Sequence, residues 1–519
     1  MRRRKFIKVS AVGLAVGAGA APGILREAVP LPDVKEAPAA APRLEPEALG
    51  VAVRGVLATD ASTLVPNPDG RTYDVLQWYY EDYSGPTWLY AIDLGSGQVK
   101  RQRFPDKRSI HLAGAALGPD GKYYLVTPYH YYGAVREAAR LGAPTGMELF
   151  VYDPATNTLE ARGVIVPGLH GERRPLTLGP DGKLYGVGSY SKEGRVGVYA
   201  YDPRTHQVRD YGPVGPAHKG GVWADWGLSV DETHVYTLSG FTPYYLVAVD
   251  IATGADTVLL ETQAGGEMRL RSGLSVEVIE THGAKPRTYW LHRGTAVAKT
   301  SETRPWPVPK APQPASPPKP ELHTGEVRPD AAGRARLWYR PARAAAGAAP
   351  PADGGWQAIV LEGIETYPLR VKLLAGLPDG RIFCKAEGHY GGSVFDPRLG
   401  RFTETGYCRT EDYACLAHAG KVYWTGYPSG EVWVYDPNRP WTHARGVPPG
   451  GQAVDKRSAA SNPRSLGDFH AQRVSQMLSA AVGADGKLYL CGWGVRAYKG
   501  GAFCWVDLKT EARGGLWQP

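Results

Sequence analysis

Apolar and polar positions alternate with period two along most of this chain, in short runs set between turn residues. The run LYGVGSY (184–190) follows LGPDGK and precedes VGVYAYDPRTHQ. Close variants are LGPDGKYYLVTPY (117–129), GLPDGRIFCKAEG (376–388) and VGADGKLYLCGWG (482–494). Period-two alternation is the mark of a strand with one buried face. Each unit opens with an apolar run ending in Asp-Gly, where glycine accepts the positive φ of a tight turn. An alternating second strand and a glycine-bearing loop follow. The third strand ends in Asp-Pro, which starts another turn, and a polar outer strand closes the unit. The pattern predicts four antiparallel strands in about forty residues.

Radial repetition of such units is the β-propeller pattern, so the predicted fold class is all-β. Eight second strands can be counted: 75–80, 123–129, 184–190, 235–241, 288–294, 382–388, 422–428 and 488–494. The expectation is one propeller over 51–519 with eight blades. Seven stays open, because the first unit is divergent and the fifth is interrupted by a Pro-rich insertion at about 295–334. Residues near 50–60 are expected to close the ring by pairing with the last blade, which removes an exposed edge. The repeats resemble those of extracytoplasmic β-propellers of the YVTN-like or lactonase-like kind, over nearly all of 51–519. That resemblance implies a fold and no particular activity.

Composition agrees with a turn-rich β protein: 65 Gly, 44 Pro, 30 Tyr and 14 Trp among 519 residues. The net charge is +9, but five of those charges fall in residues 1–30. No lysine–arginine block stands elsewhere, which argues against a nucleic-acid partner. The N-terminal stretch Arg3-Arg4-Lys5-Phe6-Ile7-Lys8, with the Gly- and Ala-rich run after it, resembles a twin-arginine export signal. The resemblance implies a signal peptide over 1–28 and a periplasmic or extracellular mature protein. Residues 29–50 are Pro- and Ala-rich and read as a tether. The apolar run is too short and too weak for a membrane span, so none is expected in the mature chain.

Five cysteines include no Cys-x-x-Cys, which removes the zinc-ribbon and haem-attachment patterns. Cys491 and Cys504 fall on two strands of one predicted hairpin. Either a disulfide or two buried thiols would suit them.

In a four-stranded blade the connections after strands two and four leave on one rim, and those after strands one and three on the other. The long connections 129–147, 295–334 and 447–470 are expected on the first rim, where long loops gather to build a site. The same rim collects titratable and aromatic residues. His218, His389, Tyr390 and His470 are the candidate acids and bases. His111, His130, Tyr131, Arg174, Trp223, Arg370, Arg473 and Trp493 are the candidate ligand holders. Arg269, Arg271, His170 and Tyr190 also belong to it.

Arginine forks grip carboxylates, aromatic rings cover apolar sugar faces, and histidine or tyrosine moves a proton near neutral pH. The combination points to an acidic oligosaccharide or polysaccharide, with β-elimination as the matching reaction. Propeller-type polysaccharide lyases show that the fold accommodates it, although no diagnostic lyase motif is present. A non-catalytic propeller that binds a glycan or a protein partner is the alternative. A metal-assisted lyase, a lactonase or a hydrolase ranks third. His389 in GHYGG resembles the catalytic position of streptogramin-lyase-like propellers, so a divalent metal cofactor stays open. Glu411, Asp412, Asp225 and Asp468 are the carboxylates a hydrolase would draw on. The Asp residues of the Asp-Gly and Asp-Pro turns (Asp120, Asp181, Asp379, Asp485; Asp153, Asp202, Asp396, Asp436) are expected to serve the repeat rather than chemistry.

Overall fold

Strands begin where the alternation begins. In the computed structural model every regular element is a β-strand among the described residues, which run from 52 to 518. The longer breaks in that description fall at 79–87, 105–113, 129–144, 171–175, 218–226, 306–318, 328–334, 341–355, 362–366, 387–390, 407–410, 443–454 and 495–500, with shorter ones elsewhere. The signal and tether expected over 1–50 lie outside the described residues.

Eight four-stranded antiparallel sheets and one three-stranded sheet follow in chain order. Sheet one holds Thr63–Pro66, Tyr73–Trp78, Trp88–Asp93 and Val99–Arg103. Sheet two spans Gly114–Leu117 to Thr158–Pro167, sheet three Leu176–Leu178 to Val208–Val214, and sheet four Leu228–Val230 to Asp256–Glu261. Sheet five holds Glu267–Arg271, Ser275–Ile279, Arg287–His292 and Thr295–Ala298. Sheet six has three strands: Glu321–Leu322, Ala335–Arg340 and Gln357–Leu361. Sheet seven spans Val371–Gly376 to Arg401–Gly406, sheet eight Glu411–His418 to Arg464–Gly467, and sheet nine Val474–Val482 to Arg513–Gln518. This succession of meandering four-stranded sheets is the β-propeller pattern the repeats predict.

The turn chemistry explains the repeat. In sheet two Asp120 Oδ1 accepts the Lys122 amide and Oδ2 accepts the Tyr124 hydroxyl at 2.9 Å. Asp181 does the same for Lys183 and Tyr185, and Asp485 for Lys487 and Tyr489. The following glycines, Gly121 and Gly182, have φ of 78° and 79°, a region that costs a side-chain-bearing residue about 1–2 kcal/mol. At the other tight turn Asp153, Asp202, Asp396 and Asp436 each accept an amide two residues ahead. These aspartates are structural. His206, in such a turn with φ of 59°, is bonded through Nδ1 to the Tyr201 hydroxyl.

Successive sheets bury their apolar faces on one another. Tyr185, Val187 and Val198 of sheet three meet Val235, Val247 and Val249 of sheet four. Similar clusters join sheets one and two, two and three, four and five, seven and eight, and eight and nine. Within the seam of sheets two and three the Tyr199 ring lies over Gly186, where a Cβ would come within 2.2 Å of it. The Tyr199 hydroxyl is buried without a hydrogen-bond partner. Tyr199→Phe removes that stranded group and is expected to stabilise the protein by about 1 kcal/mol, read as a higher urea midpoint at unchanged slope.

Four expectations are corrected. The interrupted fifth unit is two sheets: Arg287–His292 is the third strand of sheet five, and Ala335–Arg340 is the middle strand of sheet six. Among the described residues near 50–60, none pairs with the last sheet. Leu57–Ala58 pairs with Glu326–Val327, and Arg54–Gly55 with Tyr367–Pro368. Sheet nine instead takes its fourth strand from its own Arg513–Gln518, which already satisfies that edge. The long connection before 464 joins strands three and four of sheet eight, so it starts on the tight-turn rim. Asn462 clamps its base, donating from Nδ2 to the carbonyls of Asp436, Arg439 and Pro440. Finally, Cys491 pairs with Phe503 and Cys504 with Leu490, so the two thiols point to opposite faces of sheet nine and are free. Burial, with Cys491 nearby, pushes the Cys504 thiol up to about 11.

Candidate functional site

Of the twelve candidate site residues, only Trp493 lies among the described ones. His218, His389, Tyr390, His470, His111, His130, Tyr131, Arg174, Trp223, Arg370 and Arg473 fall outside them. Trp493 stands at the loop end of its strand in sheet nine, paired with Gln476 and Gly501, and is 61% exposed.

Several companions expected on this rim are committed to the fold, and two of them sit elsewhere: Arg271 ends the first strand of sheet five beside Ser275 at the strand one–two turn, the opposite rim, and Arg269 lies mid-strand. Arg271 grips Glu277 through Nε and Nη2 at 2.9 and 2.7 Å, and Arg269 pairs with Glu267 at 2.7 Å. Both arginines lie on the exposed face of a strand whose Met268 and Leu270 point inward. The Tyr190 hydroxyl donates to Asp210; burial first, and that hydrogen bond next, push its pKa far up, so it stays a phenol. His170 joins Ser189 through a main-chain bridge. Asp468 carries the guanidinium of Arg457 at 3.1 Å, and Glu411 and Asp412 form part of the first strand of sheet eight. Asp225 is outside the described residues.

The seam between sheets seven and eight holds charge that the sequence reading missed. Lys385 lies in Ile382–Ala386, paired with Leu373 and Gly392, and is 0% exposed. Alternation puts it on the same face as Phe383, whose ring stacks on Trp424 of sheet eight at 5.4 Å. On the facing sheet, Glu431, Trp433 and Tyr435 share one face, and Glu431 occupies its loop end. Glu431 is buried, accepts the Ser465 hydroxyl at 2.6 Å and pairs with Lys456 Nζ at 2.7 Å. Lys456 also lies 5.8 Å over the Trp433 ring. It reaches this place because the long connection returns along the edge of sheet eight, where Ser465 donates to the Lys456 carbonyl.

Two strands of the seam, Ile382–Ala386 and Lys421–Tyr427, end on the loop side, and the residues next in sequence after the first include His389 and Tyr390, which lie outside the described residues. Lys385 and Glu431 thus place one positive and one negative group, both removed from water, at the loop end of the same seam. The signal was present in the sequence. Equivalent positions of other second strands are Val126, Val187 and Leu238, all fully or almost fully buried. Among the described residues no group of three or more His, Cys, Asp or Glu is placed to hold a metal ion.

No family model and no curated protein matches the sequence. Solved structures overlay on it only loosely. PorZ, a surface component of the type-IX secretion system of Porphyromonas gingivalis, is 12% identical with a TM-score of 0.25, over 86% of this chain and 53% of its own. The dihydro-heme d1 dehydrogenase NirN is 12% identical with a TM-score of 0.28, over 92% and 75%. The extracellular domain of the putative hybrid two-component system BT4673 of B. thetaiotaomicron is 12% identical with a TM-score of 0.24, over 91% and 66%. This chain thus spans about half the length of PorZ. The fold rests on this chain's own sheets, and its chemistry on its own residues. No helix among the described residues is long and apolar enough to cross a membrane.

Proposed function

We propose that this protein is an exported β-propeller that binds an acidic carbohydrate at the loop end of the seam between sheets seven and eight, and cleaves it by β-elimination. The observation that carries the reading is Lys385, fully buried near the loop end of its strand, with His389 and Tyr390 following shortly after it in the sequence. Elimination from a uronate needs three groups. A base takes the proton at C5, and a cation neutralises charge building on the adjacent carboxylate. An acid protonates the O4 oxygen as the C4–O bond breaks and the C4–C5 double bond forms. Lys385 supplies the cation, and His389 and Tyr390 supply the proton transfers. Glu431 and Lys456 hold the opposite wall of the seam.

The test is ultraviolet absorbance of the new conjugated double bond, with the mature chain incubated on a panel of polyuronates with and without divalent metal. A rise that is lost in His389→Ala supports the lyase reading. A flat trace with retention of the polyuronate reduces the role to binding. A flat trace with no retention overturns both.

A further inference from the structure

Three first strands break register at the same place. In sheet seven the pairing shifts between Val371, opposite Ala386, and Leu373, opposite Lys385, which leaves Lys372 as the extra residue. In sheet eight it shifts between Asp412, opposite Gly426, and Cys415, opposite Trp424, with Tyr413 inside the break. In sheet nine it shifts between Val474, opposite Gly494, and Gln476, opposite Trp493. All three breaks face the loop end of the second strand. The first strands of sheets one to five pair without a shift over their described residues. A bulge turns a side chain out of the regular alternation, and bulges gather next to sites where that side chain is used.

The side chains at the breaks meet across the seams. The first strands of sheets seven, eight and nine are neighbours. Lys372 places its ammonium 4.4 Å from the centre of the Tyr413 ring. From sheet nine, Gln476 Nε2 donates to the Tyr413 hydroxyl at 3.5 Å. Lys372, Tyr413 and Gln476 are half-buried, and Trp493, the cross-strand partner of Gln476, stands exposed. The row thus starts next to the cross-strand partner of Lys385 and runs over three sheets to an open indole. Its groups are an ammonium, a phenol, a carboxamide and an indole. Only one of the four is charged, so a small anion would use one contact, whereas a chain of sugars can use them all. The ammonium meets an acidic group, the phenol and the amide meet hydroxyls, and the indole covers an apolar sugar face.

We propose that Lys372, Tyr413, Gln476 and Trp493 form a track that holds an extended acidic carbohydrate chain across the loop ends of sheets seven to nine. The inference rests on the acidic-carbohydrate reading of the seam between sheets seven and eight, and adds the subsites that lead away from it. Lys385 engages one sugar and the track engages those that follow, so affinity grows with chain length.

The test is the affinity of the mature chain for a length series of oligogalacturonates, from the monomer upward, beside a neutral series of cello-oligosaccharides. The expected result is an affinity that climbs with length on the acidic series. Trp493→Ala lowers affinity for the longest acidic member at least about tenfold, as the loss of an aromatic anchor does. Tyr413→Phe keeps the ring under Lys372, removes only the hydroxyl, and lowers it about fivefold. Both variants keep the circular dichroism spectrum of the wild type. Equal affinity for the monomer and the longest acidic member, or a climb that both variants leave intact, overturns the track and leaves the acidic-carbohydrate reading standing. A climb confined to the neutral series and lost in both variants overturns the acidic reading, while the track stands for a neutral chain. Binding of neither series overturns both.

Discussion

Lys385→Met is expected to lower turnover or retention of a polyuronate by about a hundredfold or more, with the sheet spectrum in circular dichroism retained. Methionine matches the lysine stem in volume and removes only the charge. Withdrawing a single preorganised group that neutralises developing charge costs about 10²–10³ in rate, because a dry site has no water to replace it. The residue stands where three other second strands carry Val126, Val187 and Leu238, so an apolar side chain is compatible with the strand. That comparison separates function from folding. A variant that keeps full retention and turnover removes Lys385 from the site, and with it the seam as the place of chemistry.

The largest stability loss is expected at Asp231. This fully buried carboxylate accepts the amides of Thr233 and His234 at 2.7 Å and the hydroxyl of Tyr236 at 2.7 Å. It also accepts the amide of Arg293 at 2.6 Å, which belongs to the tight turn of sheet five. Gly294 of that turn donates to the Tyr236 hydroxyl at 2.8 Å. One carboxylate therefore locks the turn of sheet four and ties it to the next sheet. Asp231→Ala leaves several buried donors without a partner and is expected to cost about 3 kcal/mol or more in urea unfolding, whereas Tyr236→Phe costs about 1 kcal/mol.

The pH dependence has a definite sign. Burial works to raise the Asp231 pKa, but the bonds from Tyr236 and from the amides of Thr233, His234 and Arg293 outweigh it and hold the carboxyl below its ordinary value. The ionised form is thus favoured by folding. Its contribution is full above the unfolded pKa of about 3.9 and is lost as pH falls through the lower folded value. Asp231→Asn is expected to lose stability at neutral pH and to show a shallower decline below pH 4 than the wild type. An equal loss at all pH values would mean that the charge plays no part.

Local chemistry made most of the strands legible. Tyr124, Tyr185 and Tyr489 each reach back to the Asp of their own turn. Such contacts lie within a few residues, so a repeated string implies a repeated structure. The fifth unit misled because TYWLHRG resembles a second strand in composition. Only its pairing with Thr295–Ala298, a neighbour across a two-residue turn, makes it a third strand. The candidate site was less legible. Its histidines and arginines were grouped by rim, but Arg269, Arg271 and Tyr190 turned out to be bound to carboxylates of their own sheets. Lys385 stood in plain view in IFCKAEG, and only alignment with the other repeats, which carry Val126, Val187 and Leu238 there, marks its position as a buried one.

The sequence by itself determined the strand period and the two tight turns of most units. These follow from side-chain alternation and from hydrogen bonds between near neighbours in the chain. Tertiary structure alone decided which faces meet. Sheet six covers sheet one, Leu57–Ala58 pairs with a strand far along the chain, and Lys385 and Glu431 share a seam away from water. Each of these depends on apolar faces competing for the same partner across hundreds of residues, and no short window of sequence records which one wins.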